Sequence, residues 1–151
     1  MSEHAATISW QRGDRDFGYE SYSRNHSWRF DGGVEVAGSA APGYLGDPKC
    51  VDPEEAFVAA IASCHMLTFL AIASRKRLVV DRYEDAAVGH MEKNADGKLA
   101  ITRVVLRPSV TFGGAGAPKP DELARLHGQA HANCFIANSV RTEISVAGAE
   151  R

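Results

Sequence analysis

The chain has 151 residues, 44% hydrophobic and 24% charged, which fits a single soluble globular domain over 1–151 and excludes a disordered or collagen-like chain. Lys plus Arg number 17 and Asp plus Glu 19, so a net charge of −2 lacks the basic excess of a nucleic-acid binder. Three cysteines are too few for a disulfide scaffold, and their odd number leaves at least one thiol unpaired within the chain.

Met1 to Trp10 has no basic region followed by an apolar run, so no signal peptide is expected. Thr7–Trp10 is a short β-prone run, and Phe17 to Phe30 is rich in aromatic and polar residues. Asp31-Gly32-Gly33 followed by Val34–Val36 predicts a hairpin. Ala41 to Lys49 carries two Pro and two Gly and reads as a loop. Asp52 then offers an N-cap, Pro53 suits the first helical position, and Glu55 completes a capping box. The helix should run from Pro53 to about Ser74. It is apolar almost all round, which predicts a central, buried element. Ala56 to Ala73 barely reaches the ~18 to 20 residues of a membrane span and contains an ionisable His65, so a core helix is expected and no membrane partner. The cytoplasm is then the default compartment, where cysteines stay reduced unless they do chemistry.

Tyr83 to Glu92 and Leu99 to Phe112 read as two strands around an Asn94–Gly97 turn, with Pro108 marking an edge or a bulge. A second helix starts near Pro120 and Asp121, with Leu123, Leu126, Ala130 and Cys134 on its apolar face. Thr142 to Val146 is a final strand. The order β-β-β-α-β-β-α-β lacks regular βαβ alternation and predicts an α+β fold.

Cys64 lies mid-helix in Ala62-Ser63-Cys64-His65-Met66, and Cys134 lies in His131-Ala132-Asn133-Cys134-Phe135. Two buried helices in a small domain pack together, so the two sulfurs could meet. Buried free cysteine also serves as plain filling, and that alternative stands on pattern alone. A reactive thiolate at Cys64, far from its helix N-terminus, needs a cationic partner, and Arg24 and Arg29 are the candidates. A rival reading places a metal or small ligand on His127, His131 and Cys134, whose helical spacing puts them on one side, with Cys64 and His65 near. No Cys-x-x-Cys pair or phosphate-cradling glycine loop is present. Cys50, in the loop before the helix, is read as incidental.

Asp52-Pro53-Glu54-Glu55 with Ala59-Ala60-Ile61-Ala62-Ser63-Cys64 resembles the first-cysteine helix of the OsmC/Ohr family, the osmotically inducible protein C and organic hydroperoxide resistance proteins. Ala130-His131-Ala132-Asn133-Cys134, then Asn138 and Glu143-Ile144, resembles that family's second-cysteine helix and last strand. The resemblance covers nearly the whole chain. It implies an intertwined homodimer and a thiol-dependent peroxidase for organic hydroperoxides, with no cofactor and a dithiol reductant, either a small molecule or a lipoyl-type protein. Residue by residue, it makes Cys64 the peroxidatic and Cys134 the resolving cysteine. Glu54 is the glutamate after the proline, and Arg24 is the functional arginine, with Arg29 second. Phe135 stands where the family commonly has Pro, and His65 where Phe is common, which points to a side branch. Phe57, Ile61, Met66 and Leu67 are expected to make an apolar surrounding for Cys64.

Overall fold

The structure, a computed structural model, describes residues 1–148. It holds two compact units, Met1–Ala56 and a second beginning at Phe57. The architecture is α+β, as expected.

In the first unit β1 (Ala6–Ser9), β2 (His26–Phe30) and β3 (Glu35–Gly38) form an antiparallel sheet in that order. The Asp31–Gly33 turn closes the β2–β3 hairpin, and Gly33 takes a φ of 83° that side-chain-bearing residues rarely adopt. Of the aromatic segment only His26–Phe30 is strand. The 41–49 loop contains a short 3₁₀ turn, Pro42–Tyr44. Behind it Gly46 packs so tightly that a Cβ there would sit 1.5 Å from the Ala40 carbonyl oxygen.

Helix α1 (Pro53–Arg75) starts with the capping box the sequence announces. The Glu55 N–H donates to Asp52 Oδ1 at 2.8 Å, and the Asp52 N–H donates to Glu55 Oε2 at 3.3 Å. At the other end the Leu78 N–H reaches the Ala73 carbonyl at 3.0 Å and the Arg77 N–H reaches Ser74 at 2.9 Å. This is a Schellman ending, with Arg77 rather than glycine in the left-handed region at φ 61°.

The expectation of a helix buried all round is not met within the chain. Ile61, His65, Phe69 and Ala73 are buried, at steps of four, while Ala59, Ala60, Ser63, Leu67 and Ala71 are exposed. The helix also extends beyond the stretch weighed from sequence. At 23 residues, with a mean hydropathy of 2.0 over its most apolar window, it is long and apolar enough to cross a membrane, and 22% of that window is buried. Its buried stripe packs against protein, in the two apolar clusters described below.

The second unit adds β4 (Val79–Asp85), β5 (Val88–Lys93), β6 (Leu99–Leu106), β7 (Pro108–Gly113), α2 (Pro120–Asn133) and β8 (Glu143–Val146). The two long strands expected from sequence are therefore four. Each arm of one long hairpin breaks in the middle, giving a β4–β7 sheet and a β5–β6–β8 sheet. Pro108 explains the break on its arm. It has no N–H for the ladder and restricts the residue before it, and the free Arg107 N–H is taken by Asp85 Oδ1 at 2.7 Å. β8 runs parallel to β6, pairing Arg103 with Glu143 and Leu106 with Val146.

Two apolar clusters result. Ile61 packs with Val104, Leu106 and Val146 against the β5–β6–β8 sheet. Phe69 and Ala73 pack with Leu126 and Ala130 of α2, backed by Val80, Tyr83, Val110 and Phe112 of the β4–β7 sheet.

Candidate active site

Cys64 projects from the middle of α1, half-buried, with its backbone carbonyl accepting the Thr68 hydroxyl at 2.8 Å. Cys134 is the residue that ends α2, and it is 1% exposed. The helix stops there because Cys134 turns to extended backbone, and its N–H bonds the His131 carbonyl at 3.3 Å. The two cysteines, distant in sequence, are brought near enough for Cys64 to perturb the Cys134 thiol, and neither is in a disulfide. Burial pushes the Cys134 thiol above its ordinary range, and Cys64 adds to this. The Ala137 N–H, which donates to Cys134 Sγ at 3.4 Å, opposes it. Cys134 therefore keeps its proton at neutral pH.

Cys64 opens onto a groove of about 710 Å³ lined by Ala60, Leu67, Ala71, Arg75 and Phe135. On its rim the apolar Leu67 and Phe135 are exposed, at 60% and 82%, beside the polar Ser63, Arg75 and Asn133. Of the four residues expected around Cys64, Leu67 lines this groove. Ile61 and Phe57 turn instead into the cluster under the β5–β6–β8 sheet, because the buried stripe of α1 faces that way.

Directly behind the cysteines lies a pair that the sequence reading missed. His65, 1% exposed, and His127, 5% exposed, meet at 3.1 Å between Nε2 and Nδ1, so one imidazole donates and the other accepts. Their rings are near-parallel at 9°, and His127 also stacks on Phe69 with centroids 4.6 Å apart. Burial holds His65 down to about 4, with His127 and His131 adding to the effect, and burial lowers His127 too. Both are neutral near pH 7. No sequence signal marked it: His65 falls four residues after Ile61 and four before Phe69, on a stripe that a helix apolar nearly all round does not single out.

The rival metal set is not gathered in this arrangement. His127 is engaged with His65 and Phe69, His131 is exposed, and Cys134 Sγ accepts the Ala137 N–H. Among the described residues no three His, Cys, Asp or Glu side chains gather to hold a metal ion.

In the first unit Arg24 is held by its own neighbours. Its Nη1 donates to the Tyr22 carbonyl at 2.7 Å and its Nη2 to the Tyr19 carbonyl at 2.5 Å. The guanidinium lies 3.8 Å from the Tyr22 ring centroid and 5.0 Å from that of Tyr19. His26 and Asn25 fix the backbone that follows it, His26 Nδ1 pairing with the Arg24 carbonyl at 2.7 Å and Asn25 Oδ1 accepting the Ser39 hydroxyl at 2.9 Å. Arg24, Trp10, Phe17 and Tyr22 wall an open, mainly apolar cavity of about 460 Å³. Arg29 is exposed on β2 opposite Glu35. Glu54 is half-buried in the first turn of α1, and Cys50 is half-buried in the preceding loop.

Residues 46–147 match the family model described as OsmC-like protein. The chain belongs to the OsmC-like family. Among solved structures it is similar to an OsmC-like protein of unknown function from Vibrio cholerae O1 biovar eltor, at 49% identity and a TM-score of 0.90, covering 97% of this chain and 98% of that one. It shares its fold with an organic hydroperoxide resistance protein OsmC from Legionella pneumophila, at 16% identity, TM-score 0.71 and 97% of each chain. The same holds for an organic hydroperoxide resistance protein from Elizabethkingia anophelis, at 18% identity, TM-score 0.71, with 97% of this chain and 96% of that one. No curated protein matches. This OsmC-like chain thus combines the family's fold with two neighbouring cysteines and a buried imidazole pair on the same two helices.

Proposed function

We propose that this OsmC-like protein is a cysteine-based peroxidase that reduces organic hydroperoxides to alcohols. The observation that supports this most is the proximity of the unpaired Cys64 and Cys134 thiols, the first of them at the wall of an open groove. The naming of family members of the same fold as hydroperoxide resistance proteins supports it as well.

Cys64 is the reachable sulfur and meets the peroxide. Its thiolate attacks the terminal oxygen of R–O–OH. The O–O bond breaks, and the departing alkoxide takes a proton to become the alcohol, leaving Cys64 as sulfenic acid. The Cys134 sulfur then displaces that hydroxyl. The S–S bond forms, and the hydroxyl leaves as water with the proton of Cys134. A dithiol, small or lipoyl-type, reduces the disulfide by exchange and is itself oxidised.

Arg24 stabilises the Cys64 thiolate in this reading, and Glu54 orients Arg24 through a paired charge-assisted contact. α1 is unbroken, so Glu54 stands about 15 Å along the axis from the Cys64 of its own chain. The reading therefore draws on a second copy in an isologous homodimer. The exposed Leu67 and the small residues beside it on α1 are the apolar surface such a partner would cover. Working thiols of this kind belong in the reducing cytoplasm.

One equivalent of cumene hydroperoxide should remove two free thiols per chain and leave Cys50 titratable. Peroxide consumption by Cys64→Ser at the wild-type rate would refute the assignment.

A further inference from the structure

The proximity of Cys64 and Cys134 depends on how α2 sits along α1. The apolar cluster of Phe69, Ala73, Leu126 and Ala130 presses the two helices together, but apolar contact is non-directional and tolerates sliding. The hydrogen bond between His65 and His127 does not, because it is made at one register and one rotation of each helix. His127 lies seven residues before Cys134, two turns earlier on the same stripe of α2, and His65 adjoins Cys64 on α1.

Packing alone does not account for the imidazoles. Both are almost fully buried, and His65 Nδ1 is buried with no hydrogen-bond partner. An unsatisfied buried nitrogen is unfavourable, and two apolar residues of the same shape would hold the helices at least as well. What a buried polar pair supplies and an apolar pair does not is a unique register.

We propose that His65 and His127 are positioning residues that set the Cys134 sulfur against Cys64 and so raise its effective concentration there. The proposal rests on the reading of the two cysteines as a redox pair. The step it controls is Cys64–SH plus Cys134–SH plus glutathione disulfide giving the protein disulfide and two glutathione thiols, or in turnover the closure of the Cys64 sulfenic acid. Neither imidazole touches the sulfurs in this account. They act through the two helices.

The test compares full-length wild type with His127→Phe, which keeps the stack on Phe69 and removes the nitrogen, and with Leu126→Ala, which loosens α2 without touching the pair. His127→Asn supplies the rescue, since its amide places a polar atom near the position of imidazole Nδ1. Each protein is equilibrated with mixtures of oxidised and reduced glutathione, and its melting temperature is measured in parallel. A misplacement of about 1 Å in such a pair costs on the order of 100-fold. His127→Phe should therefore lower the disulfide-forming equilibrium constant by about tenfold or more. Leu126→Ala should change it far less for a similar loss of melting temperature, and His127→Asn should recover most of the difference. Equal losses in His127→Phe and Leu126→Ala at equal melting temperature overturn the proposal, as does an unchanged constant in His127→Phe. Should His127→Phe not fold, the double variant His65→Phe/His127→Phe, which leaves no unpaired nitrogen, is read by the same criteria. The glutathione equilibrium uses no peroxide. A wild type that forms the disulfide readily but ignores cumene hydroperoxide would sink the peroxidase reading and leave this one standing.

Discussion

Burial holds the His65 imidazole near 4, against an ordinary 6.5, and lowers His127 in the same direction. The unfolded chain therefore binds protons at these positions that the folded chain refuses. The stabilising effect is complete above pH 6.5 and is lost as pH falls through the window from 6.5 to 4. For His65 the full loss amounts to about 3 kcal/mol. Asp85, whose carboxyl is pushed up by burial, works in the opposite sense at the acid end, so the comparison with a variant isolates the histidine. Urea unfolding at pH 7, 5.5 and 4.5 should show wild type losing stability steadily while His65→Gln stays flatter. Parallel profiles would mean that His65 titrates normally in the fold. The cysteines predict a second residue-scale outcome. Cys64 and Cys50 are half-buried and Cys134 is 1% exposed, so iodoacetamide should modify the first two under native conditions and Cys134 only after denaturation. Mass spectrometry of the labelled peptides decides it.

Among the elements, α1 was legible at its ends and misread along its sides. Asp52, Pro53 and Glu55 declare the start in any context, because capping is a local matter of a few backbone N–H groups. The faces of α1 are not local. Its residues are apolar nearly all round, so nothing in the pattern tells which stripe the chain itself covers. The two long strands were found but their breaks were not, since the bend depends on Asp85 accepting the Arg107 N–H from the opposite arm of the hairpin. The Schellman end of α1 carries its own prediction. Arg77 holds a left-handed conformation that costs a side-chain-bearing residue about 1 kcal/mol, so Arg77→Gly should stabilise the protein by roughly that amount. An unchanged or lower urea midpoint would contradict this. Phe69→Ala, which empties a fully buried site between α1, α2 and the β4–β7 sheet, should cost about 3 to 5 kcal/mol.

For the whole molecule, the α+β class was readable from one chain, while the buried imidazole pair was not. Each histidine looked like a candidate ligand until the two helices were laid together. The homodimer is tested at this scale. Leu67→Glu on the exposed face of α1 should shift the protein toward monomer in sedimentation velocity and lower peroxide turnover with it, and an unaltered dimer would place the interface elsewhere. The parallel pairing of β8 with β6 bears on how the protein is made. Arg103 cannot find Glu143, 40 residues further on, until α2 and the rest of the segment between them have been made, so this pairing closes after the elements before it on a chain synthesised from its N-terminus. Until then Cys64 is already present on the nascent polypeptide and Cys134 is not beside it. Under the chemistry proposed above, a newborn chain meeting oxidant carries a hazard the folded one would not: a sulfenate with no thiol to close on can proceed irreversibly to the sulfinic state.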